Sequence, residues 1–493
     1  MSKPRTLVEL CSNRKEEERY RRSVRQEMRE NVLAKLDRGE ELFPGIVGYE
    51  DSVTPQIVNA LLSRHNFILL GLRGQAKSRI LRALTNFLDE EVPVIAGCEI
   101  NDNPLQPICA RCKELVAEKG YQTPIAWLPR ERRYVEKLAT PDVTIADMLG
   151  DIDPIKAARS GLALSDEFTI HYGLLPRANR GIFAINELPD LAAKIQVGLF
   201  NIMQEGDVQI KGYPVRLPLD LCLVFTANPE DYTARGKIIT PLKDRIGSEV
   251  RTHYPVTREE GLAITQQEAW LARDGGGAFD LPLFVAEIVE EIAFQARQNK
   301  KIDKRSGVSQ RMPITCLENV ASNAERRARR AKDARAVARV GDVYAAMTSL
   351  TGKFELEYEG EVKGAEQVAR EIVRDAIGRV FEHYFEEVNL HQVVQWFELG
   401  GSLKLPEEAS AADLLKQFRK IQGLVEATAP LGLKPSSEAA SLVAACELIL
   451  EGLYAHRKIS RSEERGYYAE EPVRPEPTPR DRDLPPRHRR SYQ

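Results

Sequence analysis

Short apolar runs alternate with longer helical stretches between residues 41 and 258, and this alternation constrains the fold more than any other feature. Runs of this kind are typical of strands that are buried on both faces of a parallel sheet. Strands that alternate with helices predict an α/β domain with three layers around a parallel five-stranded sheet. The runs are FILL (67–70), VPVI (92–95), IFAI (182–185), LCLVF (221–225) and a weaker EVRTHYPV (249–256).

The remainder of the chain lacks these strand patterns. Beyond residue 258 apolar residues recur at helical spacing, which predicts a small helical bundle and then a further helical region. The charged N-terminal stretch, with Leu33 and Leu36 at helical spacing, is interpreted as a solvated helix. The C-terminal tail is rich in Pro, Arg and Glu and is predicted to be disordered. The predicted division is 1–40, 41–258, 259–352, 353–460 and 461–493.

Composition excludes several classes of protein. Hydrophobic residues make up 43% of the chain and the formal net charge is -3, so it is not a general binder of nucleic acid or of anionic membranes. No stretch approaches the roughly 20 apolar residues that cross a bilayer, and the start does not resemble a secretory signal. The odd number of cysteines, seven, disfavours a disulfide framework. We therefore expect a cytoplasmic protein without a membrane partner.

The segment FILLGLRGQAKSRILRAL matches the phosphate-loop pattern GxxxxGK[ST] between a strand and a helix. In such a loop backbone N–H groups surround the phosphates, Lys77 reaches the β- and γ-phosphates and Ser78 binds Mg²⁺. Ala76 replaces the second glycine, at a cost of about 1 kcal/mol if the backbone there is left-handed. The alternative is an ordinary strand–turn–helix. The candidate nucleotide-binding residues are Gly71, Leu72, Arg73, Gly74, Gln75, Ala76, Lys77 and Ser78.

Two later strands end in polar residues that suit catalysis. The run IFAI leads to Asn186 and Glu187, of which Glu187 is a candidate general base. Asn186 carries no charge, so it would contact Mg²⁺ only through water. Asn228 follows LCLVF and could orient the attacking water, although Asn-Pro turns are also common. Arg245 is a candidate for stabilising charge on the γ-phosphate of a neighbouring subunit, or else a surface ion-pair residue.

Several segments together resemble one family. LLPRANRGIFAINELPDL resembles the signature of magnesium-chelatase ATPase subunits, and IADMLGDIDPIKAARSG, FTANPED, PLKDRIG and FPGIVGYED resemble further segments of that family in the same order. The chain from about 41 to 258 is therefore similar to AAA+ ATPases of the magnesium-chelatase I subunit and MoxR type. The resemblance implies a nucleotide-binding core at 41–258 and a helical lid at 259–352. It also implies binding of ATP and Mg²⁺.

The same resemblance implies roles for individual residues and partners. Asn186 and Glu187 would form the acidic pair, Asn228 the first sensor and Arg311 the second sensor, while Arg245 would act in trans as an arginine finger. Arg180 would act at the interface between subunits. A homo-oligomer is implied, in this family a hexameric ring. The partner would be a separate chain, one candidate being a protein with a von Willebrand A-type domain, because the Asp-x-Ser-x-Ser motif of such partners is absent here.

The expected function is use of ATP to remodel or activate a partner protein or a metal-insertion complex. Ala76 and Asn186 depart from the family motifs, so the alternative is a nucleotide-gated scaffold with impaired hydrolysis. An AAA+ transcriptional regulator is disfavoured, since a GAFTGA loop is absent and no helix-turn-helix is evident. Residues 196–216 fit a helix with a small hairpin, which either engages the partner or is a plain surface hairpin.

Two other clusters have alternative interpretations. Cys98, Cys109 and Cys112 form the pattern C-x10-C-x2-C, whose close pair has metal-ligand spacing. Glu99 or Asp102 could complete a metal site; otherwise the cysteines are free thiols on an inserted loop. The basic run at 324–340 is interpreted as a solvated helix face, so nucleic acid is not an expected partner.

Overall fold

A computed structural model of the chain describes residues 3–161, 163, 166–209, 216–229, 238–273, 279–406, 408–462 and 464–470. The chain divides into two compact units. The first comprises Met1–Ala269, Ala296–Thr315 and Ser349–Ala365, and the second comprises Trp270–Gln295, Cys316–Thr348 and Glu366–Gln493. The range 259–352 thus occurs in both units, and its assignment as a single lid stays a prediction.

The centre of the first unit is a sheet of five parallel strands in the order β5-β1-β4-β3-β2. Because all five strands run in the same direction, their carboxyl ends lie along one edge of the sheet. The strands are β1 (Phe67–Leu70), β2 (Tyr134–Leu138), β3 (Gly181–Asn186), β4 (Leu221–Ala227) and β5 (Ser248–Arg251).

Both faces of this sheet are buried under helices. Successive residues of the central strands alternate between two apolar clusters: Leu223 and Phe225 belong to one, Cys222 and Val224 to the other. Helices Val24–Asp37, Val53–Leu62 and Lys77–Ala83 contribute to the second cluster, while Ala193–Gln204 and Thr240–Arg245 contribute to the first. The predicted three-layer α/β architecture is therefore confirmed.

One predicted strand of the sheet was wrong. The run VPVI lies in Glu91–Ile95, which pairs antiparallel with Ile125–Pro129 outside the central sheet. The fifth central strand is instead β2, whose sequence YVEKL is polar and only partly buried. It lies at the edge of the sheet, where a strand does not have to be apolar on both faces, so its sequence lacks the pattern of a buried strand.

The N-terminal stretch is not a solvated segment as predicted. Its longest helix, Val24–Asp37, buries Val24, Met28 and Val32 against the core, whereas Leu36 is exposed. The buried Glu27 forms a two-pronged ion pair with the buried Arg133, at 2.6 and 2.7 Å. These contacts make the N-terminal helices an integral layer of the first unit.

The remaining α-helices of the first unit surround the sheet or lie in its connections. Ala193–Gln204 leads into an antiparallel pair, Asp207–Gln209 with Arg216–Pro218, as predicted for the hairpin, while the hairpin tip at 210–215 lies outside the described residues. A second small pair is Gly150–Ile152 with Ile170–Tyr172. These helices are Leu7–Cys11, Arg14–Arg21, Ala110–Lys119, Ile145–Leu149, Pro154–Ser160, Leu174–Arg177, Arg258–Glu268 and Tyr358–Lys363.

The second unit is mainly helical, as predicted. Two small sheets accompany its helices: Phe279–Asp280 pairs with Ala336–Val337, and Ile459–Ser462 pairs with Gly466–Ala469. Helices Leu283–Gln298 and Arg311–Ala331 contribute residues to both units. The others are Val340–Ala345, Ala365–Phe385, His391–Glu398, Ala411–Phe418 and Ala439–Ala455.

The start of the predicted disordered tail is ordered. Tyr467 is buried and donates a hydrogen bond to the buried Glu451, which also pairs with Arg461. These polar contacts, rather than aliphatic burial, hold the C-terminal strand pair, which explains why composition did not reveal it. Residues 471–493, the rest of the predicted tail, lie outside the described residues. No described helix combines the length and apolar character needed to cross a membrane.

Candidate nucleotide-binding site

The phosphate-loop sequence forms a turn between β1 and helix Lys77–Ala83, at the carboxyl edge of the sheet. Gly74 has a φ of 76° and Ala76 a φ of 52°, so the loop makes its left-handed turn even where a glycine is missing. A side chain at Gly71 would place its Cβ 1.8 Å from Thr252 Oγ1, so this position has room only for glycine. The loop therefore has the tight backbone course that phosphate binding requires.

The base of the loop brings Lys77 and Asn228 together. Lys77 is buried, and its ammonium donates hydrogen bonds to Gly71 O, to Leu72 O at 3.0 Å and to Asn228 Oδ1 at 2.8 Å. Asn228 directly follows β4, the neighbour of β1 in the sheet. Two residues predicted from separate motifs thus share one contact.

A cavity of about 690 Å³ opens beside the loop, a volume within the range of ligand sites. Its lining combines polar groups of the loop with an apolar wall formed by Ile46, Val47, Ile264 and Ile314. Such a wall suits a flat heterocyclic ring, while the loop suits its charged end. Arg311, the predicted second sensor, lines the same cavity and is exposed.

The wall next to the loop is rigidly held. The Tyr49 hydroxyl donates to Gln75 O at 3.2 Å and to His253 O at 2.6 Å, and burial raises the pKa of this phenol, which keeps it a donor. The Thr252 hydroxyl donates to Gln75 Oε1 at 2.7 Å. These bonds connect the loop to the segment after β5, so the loop is braced from both sides of β1.

The predicted acidic pair lies at the end of β3. Glu187 has a left-handed backbone, with a φ of 54°, and lines the cavity; its N–H donates to Thr226 Oγ1 at 3.0 Å. Asn186 is buried, and its amide donates to Glu136 Oε1. Glu136 in turn pairs with Arg82 at 2.9 Å, and Arg82 lines the cavity. A carboxylate therefore lies directly beside the uncharged Asn186.

Comparison with known proteins adds to this geometry. No family model matches the chain. It is 30% identical over 211 residues to the magnesium-chelatase subunit ChlI homolog of Methanocaldococcus jannaschii, covering 42% of this chain and 53% of that protein. It is 29% identical over 230 residues to the magnesium-chelatase subunit ChlI of Guillardia theta, covering 45% and 61% respectively.

The chain is an AAA+ protein related to the magnesium-chelatase I subunits. The matched segments span 53% and 61% of those two relatives, so the activity and partners of the whole relatives come to this chain only as proposals. Among solved structures, a chain from a complex between subunits BchI and BchD of magnesium chelatase is 22% identical, with a TM-score of 0.35, covering 65% of this chain and 98% of that one.

Two arginines assigned to this AAA+ protein by resemblance lie away from the cavity. The guanidinium of Arg245 is half-buried, contacts Gln204 Oε1 at 2.7 Å and lies over the ring of Phe200. Arg245 is not among the described residues that line its own chain's cavity, so it does not act in cis in this conformation.

Arg180 does not fit the predicted interface role. It is buried and donates to Pro93 O in the inserted hairpin, while its own carbonyl accepts from Arg133 Nε at 2.8 Å. Burial lowers the pKa of Arg180 to about 10, and the neighbouring charge of Arg133 lowers it further, yet the guanidinium stays charged at neutral pH. Its side chain is committed to the interior and cannot reach a neighbouring subunit.

Sequence reasoning missed the carboxylate beside Asn186. Glu136 lies on β2, the strand that was not predicted, and the register places Glu136 opposite Ala184 of β3. The only available signal was an acidic residue in a short, partly apolar stretch, and recognising it would have required knowing which strand borders β3. The roles of Tyr49, Thr252 and His253 depend on contacts between distant segments and left no local pattern.

Proposed function

We propose that this protein binds ATP with Mg²⁺ and hydrolyses it to change the conformation of a partner protein, as a MoxR-like or magnesium-chelatase-like AAA+ machine in the cytoplasm. One observation carries the proposal: the 2.8 Å contact between Lys77 and Asn228 at the base of a cavity lined by the phosphate loop. An ordinary strand–turn–helix has no reason to bury a lysine against carbonyls and the tip of the adjacent strand.

The phosphate end of the cavity suits a triphosphate with its metal ion. Lys77 and the N-terminus of helix Lys77–Ala83 supply positive charge, and the glycines let the backbone approach closely. Ser78 and Glu187 line the cavity and offer the oxygen atoms that Mg²⁺ prefers. When bound, the ion would offset negative charge on the phosphates.

Hydrolysis would use the groups at the ends of β3 and β4. Glu187 would accept a proton from the attacking water, and Asn228 would orient that water. Asn186 lacks the charge of the usual acid, and we assign the compensation to Glu136, whose carboxylate accepts a hydrogen bond from the Asn186 amide. The site would thereby regain one negative charge near the metal position.

Completion of the site would require a neighbouring subunit. Arg311 would contact the γ-phosphate within the same chain, and Arg245 would reach the nucleotide of the next subunit. Each subunit would then both bind a nucleotide and complete the adjacent site, which is a head-to-tail arrangement that closes into a ring, in this family a hexamer. The predicted lid at 259–352 would transmit the nucleotide state.

The partner would be a separate polypeptide, and a protein with a von Willebrand A-type domain is our candidate. One similar structure contains BchI together with a distinct subunit, BchD. The described hairpin strands Asp207–Gln209 and Arg216–Pro218 extend from a core helix and offer a surface for that partner. Insertion of magnesium into a porphyrin is not supported by any residue described above.

A second candidate is a nucleotide-gated scaffold that binds ATP without turning it over. Ala76 and Asn186 favour it, because each departs from the usual motif at a position near the phosphates or the metal. The scaffold and the ATPase predict the same binding but different rates of hydrolysis.

A Glu187→Gln variant separates these candidates. If Glu187 is the general base, the rate of phosphate release should fall by about 10²-fold or more while nucleotide binding persists, because the amide cannot accept the proton. Phosphate release by the full-length protein would be measured beside a Glu205→Gln control, which changes an exposed glutamate outside the cavity. Equal, near-zero rates in the wild type and in Glu187→Gln would establish the scaffold instead.

A further inference from the structure

The inserted hairpin brings four chemically related side chains into one cluster. Cys98, Asp102, Cys109 and Cys112 each present one donor atom, and these four atoms all lie within 4.8 Å of one another. Asp102, Cys109 and Cys112 are buried and Cys98 is half-buried. The residues come from two short loops, so the fold rather than the sequence interval of C-x10-C-x2-C creates the cluster.

Backbone groups already orient the sulfur atoms. The Cys112 N–H points at Cys109 Sγ at 3.4 Å, and the Asp102 N–H points at Cys98 Sγ at 3.5 Å. Cys109 occupies the N-cap of helix Ala110–Lys119, so its sulfur also lies at the positive end of that helix. Such donors favour the thiolate, the form in which cysteine binds metals.

Asp102 supplies the independent indication of a cation. Its side chain is fully buried; Oδ2 accepts hydrogen bonds from Ile108 N at 3.1 Å and Cys109 N at 3.0 Å. Oδ1 is buried and has no hydrogen-bond partner among the described residues. Leaving a buried charged oxygen without a donor costs about 1–3 kcal/mol or more, and a metal ion would remove that cost.

We propose that Cys98, Asp102, Cys109 and Cys112 bind a single zinc ion in a structural site. Zinc prefers four tetrahedral ligands of this kind, and bonds of about 2.0–2.3 Å place such ligands roughly 3.5–3.8 Å apart. The observed cluster needs only small side-chain adjustments to reach that geometry. Magnesium and calcium prefer all-oxygen ligands, and a multi-iron cluster would hold its cysteines farther apart around several metal ions.

The electrostatic surroundings fit the same ion. Three thiolates and one carboxylate carry four negative charges, of which zinc neutralises two. Arg111 and Lys156 line a small cavity of about 50 Å³ that also borders Cys98 and Cys109, and they offset part of the remainder. Four protein ligands leave zinc no open coordination position, which marks the site as structural rather than catalytic.

The zinc loop is attached to the segment that begins β3. Asn101 Nδ2 donates to Arg177 O at 2.8 Å, and Asn179 Nδ2 donates to Ile100 O at 3.0 Å. Asn179 Oδ1 accepts from Asp220 N, just before β4, at 2.9 Å. Zinc would therefore fix the inserted hairpin onto the RANRG segment, Arg177–Gly181, which leads into the strand that carries Asn186.

Metal content tests the proposal directly. Full-length protein would be purified from zinc-supplemented medium under reducing conditions without chelator and measured by mass spectrometry for metals. We expect about one zinc per chain in the wild type and less than about one fifth of that in a Cys109→Ser, Cys112→Ser double variant. Cys11→Ser is the matched control, because Cys11 lies in the same inserted module but outside the cluster and should leave the zinc content unchanged.

Cobalt spectroscopy keeps the test informative if the double variant fails to fold. Wild-type protein loaded with Co²⁺ should show the strong visible and thiolate charge-transfer absorption of a tetrahedral site, and Asp102→Asn should alter that spectrum. Wild-type protein with no stoichiometric zinc and no such absorption would overturn the proposal. So would stoichiometric iron, or zinc retained in the folded double variant.

Hydrogen exchange tests the anchoring role. Removing zinc with a chelator should raise amide exchange in residues 91–129 and in Arg177–Gly181 while leaving β1 and β4 protected, because only the former depend on the zinc loop. Unchanged exchange in both segments after complete zinc removal would refute the anchoring role.

Discussion

Ala76 adopts a left-handed backbone at the position where the phosphate loop enters its helix, with φ 52° and ψ 11°. A β-carbon makes this conformation unfavourable by about 1 kcal/mol, so the loop holds its course at a small cost in stability. The neighbouring contacts that enforce the course are those of Gln75 with Tyr49 and Thr252. The departure from the motif therefore changes energy more than geometry.

Replacing Ala76 with glycine should relieve this cost. We expect Ala76→Gly to raise the free energy of unfolding of the first unit by up to about 1 kcal/mol, measured from the urea midpoint. Ala83→Gly is the matched control: Ala83 ends the same helix with a φ of -64°, so glycine there should lower stability by about 0.5–1 kcal/mol. A loss of stability in Ala76→Gly equal to that of the control would contradict the argument.

Individual site residues were predictable to the extent that a local pattern encoded them. Lys77, Asn228 and Arg311 were assigned from three motifs, and the structure places all three at one cavity or its base. Arg180 was misassigned, because a motif gives the identity of a residue but not the direction of its side chain. Asp102 became identifiable as a ligand only when folding brought it to the cysteines, although both it and Glu99 were candidates by sequence.

At the scale of elements, the N-terminal helices are held to the core by buried charges as well as by apolar contacts. Asp89 is buried and accepts hydrogen bonds from Arg22 at 2.5 Å and from Arg19 and Asn31, each at 3.1 Å. Burial acts to raise the pKa of Asp89, but the hydrogen bond from Arg19 and the charge of Arg22 outweigh it and lower the pKa to about 2.

This carboxylate makes a pH-dependent contribution to stability. Because the folded pKa lies below the ordinary value of 3.8, the contribution is complete above about pH 4 and is lost as the pH falls towards 2. We expect Asp89→Asn to lose about 2 kcal/mol at pH 7, with the difference from wild type shrinking below pH 4. Urea unfolding at several pH values measures this.

Asp37→Asn is the control for that series, since Asp37 is exposed at the end of helix Val24–Asp37. A deficit in Asp89→Asn that stayed constant down to pH 3 would show that the ion pairs do not set the effect.

Elements were predictable where burial was complete. The fully apolar FILL, IFAI and LCLVF became β1, β3 and β4. The run VPVI met the same criterion but entered a hairpin, because an apolar run alone does not determine which neighbour covers it. The strand YVEKL escaped detection because an edge position tolerates Glu136 and Lys137.

At the scale of the whole molecule, the account requires sites shared between subunits. Arg245 lies outside its own chain's cavity among the described residues, and the proposed ring would direct it to the next chain's nucleotide. Each interface would then need one intact phosphate loop and one intact arginine from different chains. This arrangement makes variants complement one another in a way that a monomeric ATPase does not allow.

We expect Arg245→Ala to lower the ATPase rate by at least about tenfold, because charge on the γ-phosphate would lose its stabilisation. Mixing Arg245→Ala with inactive Lys77→Ala in equal amounts should restore about one quarter of the wild-type rate per site, the fraction of interfaces that pair an intact loop with an intact arginine. Lys243→Ala, on the same short helix, is the control and should keep the rate. No recovery on mixing, with rings formed, would contradict a role in trans.

Nucleotide binding by Lys77 tests the central claim most directly. Full-length wild type, Lys77→Ala and the exposed-lysine control Lys194→Ala would be titrated with ATP and Mg²⁺ by calorimetry. The account predicts saturable binding by the wild type and by Lys194→Ala, and affinity at least about tenfold weaker in Lys77→Ala, because the ammonium would contact the phosphates. Absence of binding in the wild type, or equal affinity in folded Lys77→Ala, would contradict it.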